Sequence, residues 1–255
     1  MIRSTEFKYL ISYDRVLYYA LNEKLRSNKD LLTGFRRINE VKKCIARISR
    51  DTGLPYPAVR IIPEALILTA EEEGVNAIVY ANVNYSVASD GVYPVIDLYL
   101  PTLLYTNRDL SVRRKVKLKG SDVLLAILAH ELIHYVYLAI KYITADYMTS
   151  LAIYTGDLMG KLFIEKIYQV PPNKLFRSRK LIKLVSNIDD IIEKYNIARY
   201  IERYWIKKGK PVKIVHFKDF KVSIPISLWT AMHFPESVLS KARDLINETR
   251  NVRSI

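Results

Sequence analysis

Cysteine and glutamine are almost absent from this chain: Cys44 and Gln169 each stand alone among 255 residues. One cysteine excludes an internal disulfide framework, and with it the small secreted scaffolds that depend on one; it fits a reducing compartment. The amino terminus, MIRSTEFKYLISYD, lacks the clean apolar stretch of a secretory signal. A clean membrane span is missing too. The longest apolar run, Val123 to Ile140, contains His130, Glu131 and His134, which makes it a poor span and a good buried helix. The expectation is a soluble cytoplasmic protein with no membrane partner. Scarce glutamine beside many charged residues also fits a thermophilic host.

What is present is apolar bulk and positive charge. Half of the residues (50%) are hydrophobic, enough for one domain with an appendage or two small ones, each with a core. The formal net charge is +14. A basic solvated surface accounts for that charge, and so does attraction to nucleic acid or an acidic partner.

Apolar residues recur at helical spacing over residues 5–25 and 29–51, with Asn28 and Asp30 as caps for the second stretch. GLPYP, from Gly53 to Pro57, breaks the chain. Three β-rich runs follow: AVRII (58–62), NAIVYANVNYS (76–86) and VYPVIDLYL (92–100). The SDG turn at 89–91 makes the last two an antiparallel pair. In the last run Ile96, Leu98 and Leu100 give an apolar face, Val95, Asp97 and Tyr99 a mixed one, and Pro94 favours a sheet edge. After a basic connector (107–119), Ser121 caps a long helix, and a second helix is expected over 146–169, stopped by Pro171 and Pro172. Beyond lie helical patterns over 187–195 and 197–208, two strands within 211–226 turned at Lys218-Asp219, and a terminal helix near 236–249.

The long helix carries HELIH. On a helix, His130 and His134 project from one face and can share one Zn2+ ion through neutral imidazoles. Glu131 is turned by about 100°, so it reaches a water held by the metal rather than the metal itself. The alternative is two core histidines and a glutamate spaced by coincidence. With four histidines in the chain, chance produces the pattern in roughly three of every thousand such sequences. The apolar flanks LLAILA and YVYLAI argue further for a site, because a buried helix rarely carries these groups without partners.

Zinc needs a third protein ligand. A third histidine in an HExxHxxGxxH pattern is excluded by Tyr137 and Ile140. Asp146, Asp157 and Glu165 remain. Asp146 leaves little chain in which to turn back. Glu165 has the usual residue type and the longer reach. On one helix, Asp157 and Glu165 would stand about 80° and about 12 Å apart, so only one could face the metal.

VIDLYLP, then HELIH, then DLMGKLFIEKIYQVPP (157–172) resembles the ImmA/IrrE-type zinc metallopeptidases, a gluzincin-like group, over roughly residues 50–210. The resemblance places Asp157 at the family's ligand glutamate when Phe163 takes the place of its phenylalanine; Asp for Glu and Lys161 for Asn are departures. The order GLPYPAVRII…VNAIVYA also looks like HtpX-type proteases, whose membrane helices are missing here. The resemblance implies a zincin-like peptidase domain over 1–170 and a basic helix-turn-helix-like module with a β-hairpin over 171–255. It further implies a zinc-dependent endopeptidase, encoded on a mobile element or stress operon, that cuts a protein partner such as a DNA-binding regulator. The strand over 92–100 would hold the substrate by adding it to the sheet.

A winged helix also fits residues 187–224, with Asn196 at the turn. Arg199, Arg203, Lys207, Lys208 and Lys210 would then contact phosphates, in a nucleic-acid-binding regulator whose zinc site is structural or vestigial. An ordinary amphipathic helix docked through Ile197, Ile201, Tyr204 and Trp205 explains the same stretch. The fold expected from the whole chain is α+β.

Overall fold

The computed structural model describes residues 29–70, 75–106, 120–155, 161–163, 170–216 and 223–252. The fold is α+β. It opens with α1 (Lys29–Arg36) and α2 (Ile38–Thr52). The helix expected over 29–51 is thus broken at Arg37, whose N–H turns back to the Gly34 carbonyl at 3.0 Å. α2 stops where Gly53 adopts φ 73° and closes onto the Ser49 carbonyl, a conformation that favours glycine. The helix expected over 5–25 lies outside the described residues.

Five strands follow: β1 (Ala58–Ile62), β2 (Ala65–Ala70), β3 (Val75–Val79), β4 (Ala81–Ala88) and β5 (Gly91–Tyr99). They fall into two sheets, β1-β5-β4 and β3-β2-β7, where β7 is Val212–His216. β4 and β5 pair antiparallel across the expected turn, with Val83 opposite Ile96. Two expectations fail. NAIVYANVNYS is not one strand: the chain changes sheets at Tyr80, because β3 pairs with β2, a strand the sequence reading did not anticipate. β5 is central rather than an edge. Pro94 is tolerated there because β1 covers only Val95–Tyr99, so its missing N–H falls beyond that pairing. The edges of this sheet are β1 and β4.

The mixed face of β5 becomes a polar network. Register sets Arg60 beside Asp97 and Asp97 beside Asn82. Arg60 donates Nε to Oδ1 of Asp97 at 2.6 Å and Nη2 to Oδ2 at 2.9 Å, and Asn84 Nδ2 donates to Oδ2 at 2.8 Å. The Tyr99 hydroxyl donates to Asn82 Oδ1 at 2.9 Å. These bonds stitch the three strands together, while Ile96 and Leu98 enter the core on the other face.

After α3 (Leu100–Tyr105) comes α4 (Gly120–Thr155), the spine of the molecule. Ser121 lies in its first turn rather than at its cap, and Asp122 pairs with Lys180 at 2.6 Å. The separate helix expected over 146–169 does not exist as such. No glycine or proline interrupts residues 121–155, so α4 runs on to Thr155, and Lys161–Phe163 is a strand, β6. α4 is buried on nearly every side from Val123 to Ala139. Against it pack α2, β4, α6 (Arg179–Ser186), α7 (Ile188–Tyr195), α9 (Ile226–Thr230) and α10 (Glu236–Val252). Among the described residues Ser121–Thr144 is the one stretch long and apolar enough to cross a membrane, and 83% of its most apolar window is covered by protein, as in a core helix.

α5 (Pro172–Leu175) precedes α6, and α8 (Ile197–Tyr204) follows α7 across Asn196, which takes φ 52°. The hairpin expected within 211–226 is not formed. β7 pairs parallel with β2, and β8 (Ser223–Pro225) pairs antiparallel with β6. One core cluster joins side chains from both sides of residue 170, among them Ile48, Leu98, Leu128, Leu181, Trp205 and Val238.

Asp97 is the hub of the polar network and only 3% exposed. Asp97→Ala leaves the Arg60 guanidinium and the Asn84 amide without their shared acceptor. A loss of about 2–4 kcal/mol is expected in denaturant unfolding, whereas Asp90→Ala, on the exposed turn, should change stability by less than about 0.5 kcal/mol.

Candidate metal centre

His130 and His134 stand one turn apart on α4, and their Nε2 atoms converge to 2.9 Å. The rings meet edge-on, 83° between planes and 4.6 Å between centroids. An ion at about 2.05 Å from both nitrogens would see them at about 90°, somewhat inside the tetrahedral angle. Burial holds the His130 pKa below its ordinary 6.5, against the opposing charge of Asp189. The neutral imidazole, the form that ligates, is therefore favoured.

Glu131 follows His130 on α4 and is buried. It is 6% exposed, and the backbone N–H of Val83 on β4 donates to its carboxylate. Its Oε2 is buried with no hydrogen-bond partner among the described residues. Burial pushes the Glu131 carboxyl up from 4.5 to about 8, only partly offset by the Val83 N–H. A buried, half-satisfied carboxylate is costly. It is what a helix would carry if that oxygen had to meet a water or a cation. Tyr56, from the GLPYP segment, donates its hydroxyl to the Leu128 carbonyl at 2.7 Å and ties that segment to α4 two residues before His130. Burial and the nearby Glu131 both raise the Tyr56 pKa.

The three residues line one cleft of about 840 Å³. Its walls are β3 and the start of β4 on one side, α4 as floor, and α7 with Asn196 and Ala198 on the other. Val83 donates to Glu131, so that N–H points away from β5, and the unpaired side of β4 faces the site.

The third ligand is less defined. Asp157 and Glu165 lie outside the described residues. The helical geometry used to separate them does not hold, because β6 lies between them. Asp146 sits on α4 itself, 12 residues past His134. On an unbroken helix that is about 18 Å along the axis, too far to share an ion with the histidine pair. Among the described residues no group of three His, Cys, Asp or Glu is close enough to hold a metal. The cleft does bring in two carboxylates that the sequence reading did not single out, Asp189 and Glu193 on α7. Their i,i+4 spacing in IDDIIEKY was the available signal.

The basic residues separate. Arg199, Arg203, Lys207 and Lys208 are exposed. Lys210 is half-buried, paired with Asp30 and set over the Trp205 ring at 4.9 Å from its centroid. His233 stacks on Tyr93 at 5.1 Å and bonds to the Asp90 carbonyl, away from the centre.

No protein-family model, no curated protein and no solved structure matches the chain.

The raised Glu131 pKa makes stability depend on pH. Below about pH 4.5 both folded and unfolded states hold the proton, and the group costs nothing. Between 4.5 and about 8 the folded state keeps a proton that the unfolded chain has lost, so stability falls as pH rises. Glu131→Gln removes that cost. In chelator-treated protein it should raise the melting temperature at pH 8–9, by roughly 2–5 kcal/mol of stability, with the gain vanishing at pH 4.

Proposed function

We propose that this protein is a zinc-dependent endopeptidase with a zincin-like core, acting on an extended segment of a protein partner such as a DNA-binding regulator. The observation that carries the proposal is the pair of converging Nε2 atoms, 2.9 Å apart, beside a buried glutamate with an unpartnered oxygen, all in one cleft. His130 and His134 would hold the ion. Zinc held there would supply Lewis acidity to the scissile carbonyl and to the attacking water. Glu131 takes the proton of the attacking water and later delivers it to the leaving amine. In the free protein the low-dielectric setting keeps this carboxyl protonated near neutral pH, and a cation held by the two histidines would favour its ionised form.

The substrate strand would lie along β4, not along β5 as the sequence reading had it, since β5 is enclosed between β1 and β4. The edge is capped in the free protein by its own groups: Val83 N–H by Glu131 and Tyr85 N–H by Asn84 Oδ1 at 2.8 Å. An added strand would replace these contacts with backbone hydrogen bonds.

A second function rests on the exposed Arg199, Arg203, Lys207 and Lys208: nucleic-acid contact by α8 and the turn after it, in a module spanning about 171–255. It stands without a wing, because β7 is paired with β2.

Metal analysis of purified protein tests the first function. One zinc per chain is expected, lost in His130→Ala and His134→Ala. Glu131→Gln should keep the metal and lower peptide cleavage by about 10³-fold or more. Asp157→Ala should weaken zinc binding about 10- to 100-fold or more while Glu165→Ala leaves it nearly intact. A folded protein that takes up no zinc rules the peptidase out.

A further inference from the structure

We propose that Asp189 and Glu193 form a cation-selective subsite of the cleft, so that the preferred substrate is an extended apolar segment carrying one lysine or arginine beside the cut. This rests on the peptidase function above and names its substrate class. The two carboxylates are one turn apart on α7, about 6 Å along its axis, and both line the cleft. Both side chains are exposed, and neither has an ion pair among the described residues. Among the described residues no lysine or arginine lines the cleft, although the chain has 40 of them. The described lining is therefore acidic in a positive protein. Its remaining wall is chiefly apolar, with Ile78, Val79, Leu138 and Ile192 among its members.

A second observation marks this lining as a ligand site rather than a solvated acidic face. Glu131, only 6% exposed and with its Oε2 lacking a hydrogen-bond partner among the described residues, lines the same cavity. A substrate chain on the β4 edge would cross between that oxygen and α7, with alternate side chains turned towards Asp189 and Glu193. Apolar side chains there would meet two unneutralised carboxylates; a single cation would be attracted. The overall charge sets a limit on the partner. A chain of net +14 repels a polycation once the two surfaces approach to within the screening length, about 8 Å at physiological salt. The fitting partner is neutral or acidic overall, with its cation confined to the segment that enters the cleft.

Labelled heptapeptides of Leu, Ile and Ala, with Lys, Gln or Glu at the centre, test this by fluorescence polarisation. Binding is read in a Glu131→Gln background, without turnover, and cleavage is read separately with the parent protein. The lysine peptide should bind about tenfold tighter than the glutamate peptide, with glutamine between. Adding D189N and E193Q should bring the three within about twofold, with folding and zinc content unchanged. D190N, on the same helix turn but outside the cleft, should leave the preference as it was. The proposal is overturned by equal affinities in the background protein, by a preference that survives D189N/E193Q, or by no peptide binding at all. It is also overturned if D189N/E193Q loses its zinc, which would place the carboxylates on the ion. Charge-selective binding without any cleavage by the zinc-loaded parent keeps the subsite and rejects the peptidase.

Discussion

A helix that is apolar on every side has to be covered on every side. From Val123 to Ala139, α4 offers water almost nothing, and five helices and the edge of a sheet close over it. This requirement organises the chain. α2 and β4 come from before it, α6, α7, α9 and α10 from after it, and all of them bury their own apolar stripes in doing so. Elements far apart in sequence share one core because no local partner could cover so much surface.

The polar triplet of HELIH is the exception that the covering has to accommodate. His130 and His134 fall where the cover is thinnest, between β4 and α7, and the gap left there is the cleft. Glu131 falls deeper and receives one backbone N–H for two oxygens. The same tight packing that stabilises the spine therefore raises the proton affinity of the glutamate. A site assembled on a rigid core helix has its geometry set before any ligand arrives, at the cost of an under-satisfied carboxyl in the free protein.

The sheet supplies the other wall. The Arg60–Asp97 pair and its two asparagine neighbours hold β1, β5 and β4 in register on one face, while the apolar face lies on the core. That leaves β4 as an edge on which the Val83 N–H meets Glu131 and the Tyr85 N–H meets the Asn84 side chain. The chain switches sheets at Tyr80, and β3 then extends the wall beyond β4. On the far side α7 contributes the carboxylates. The cleft is thus built from three regions that share no local sequence pattern.

Some of this was legible in the residues alone. A helix bearing His130, Glu131 and His134 on an apolar background, the antiparallel β4–β5 pair across Ser89-Asp90, the stop at Gly53 and the terminal helix all follow from local periodicity and turn chemistry, which are properties of neighbouring residues. What depended on distant partners was not legible. Pro94 gave the right local meaning, a missing donor, but the wrong strand order, because it says nothing of where β1 ends. LAIKYITADYMTSLAIYT has no glycine or proline to stop a helix, so the continuation of α4 through it was open to a local reading that instead started a second helix there. Two strand-like runs in 211–226 carry a hairpin pattern, yet each found a better partner far away in sequence, β2 and β6. Asp189 and Glu193 look like solvated helix carboxylates until α7 is laid against α4. Sequence determines which groups are available and how they repeat along an element; packing alone decides which of them face each other.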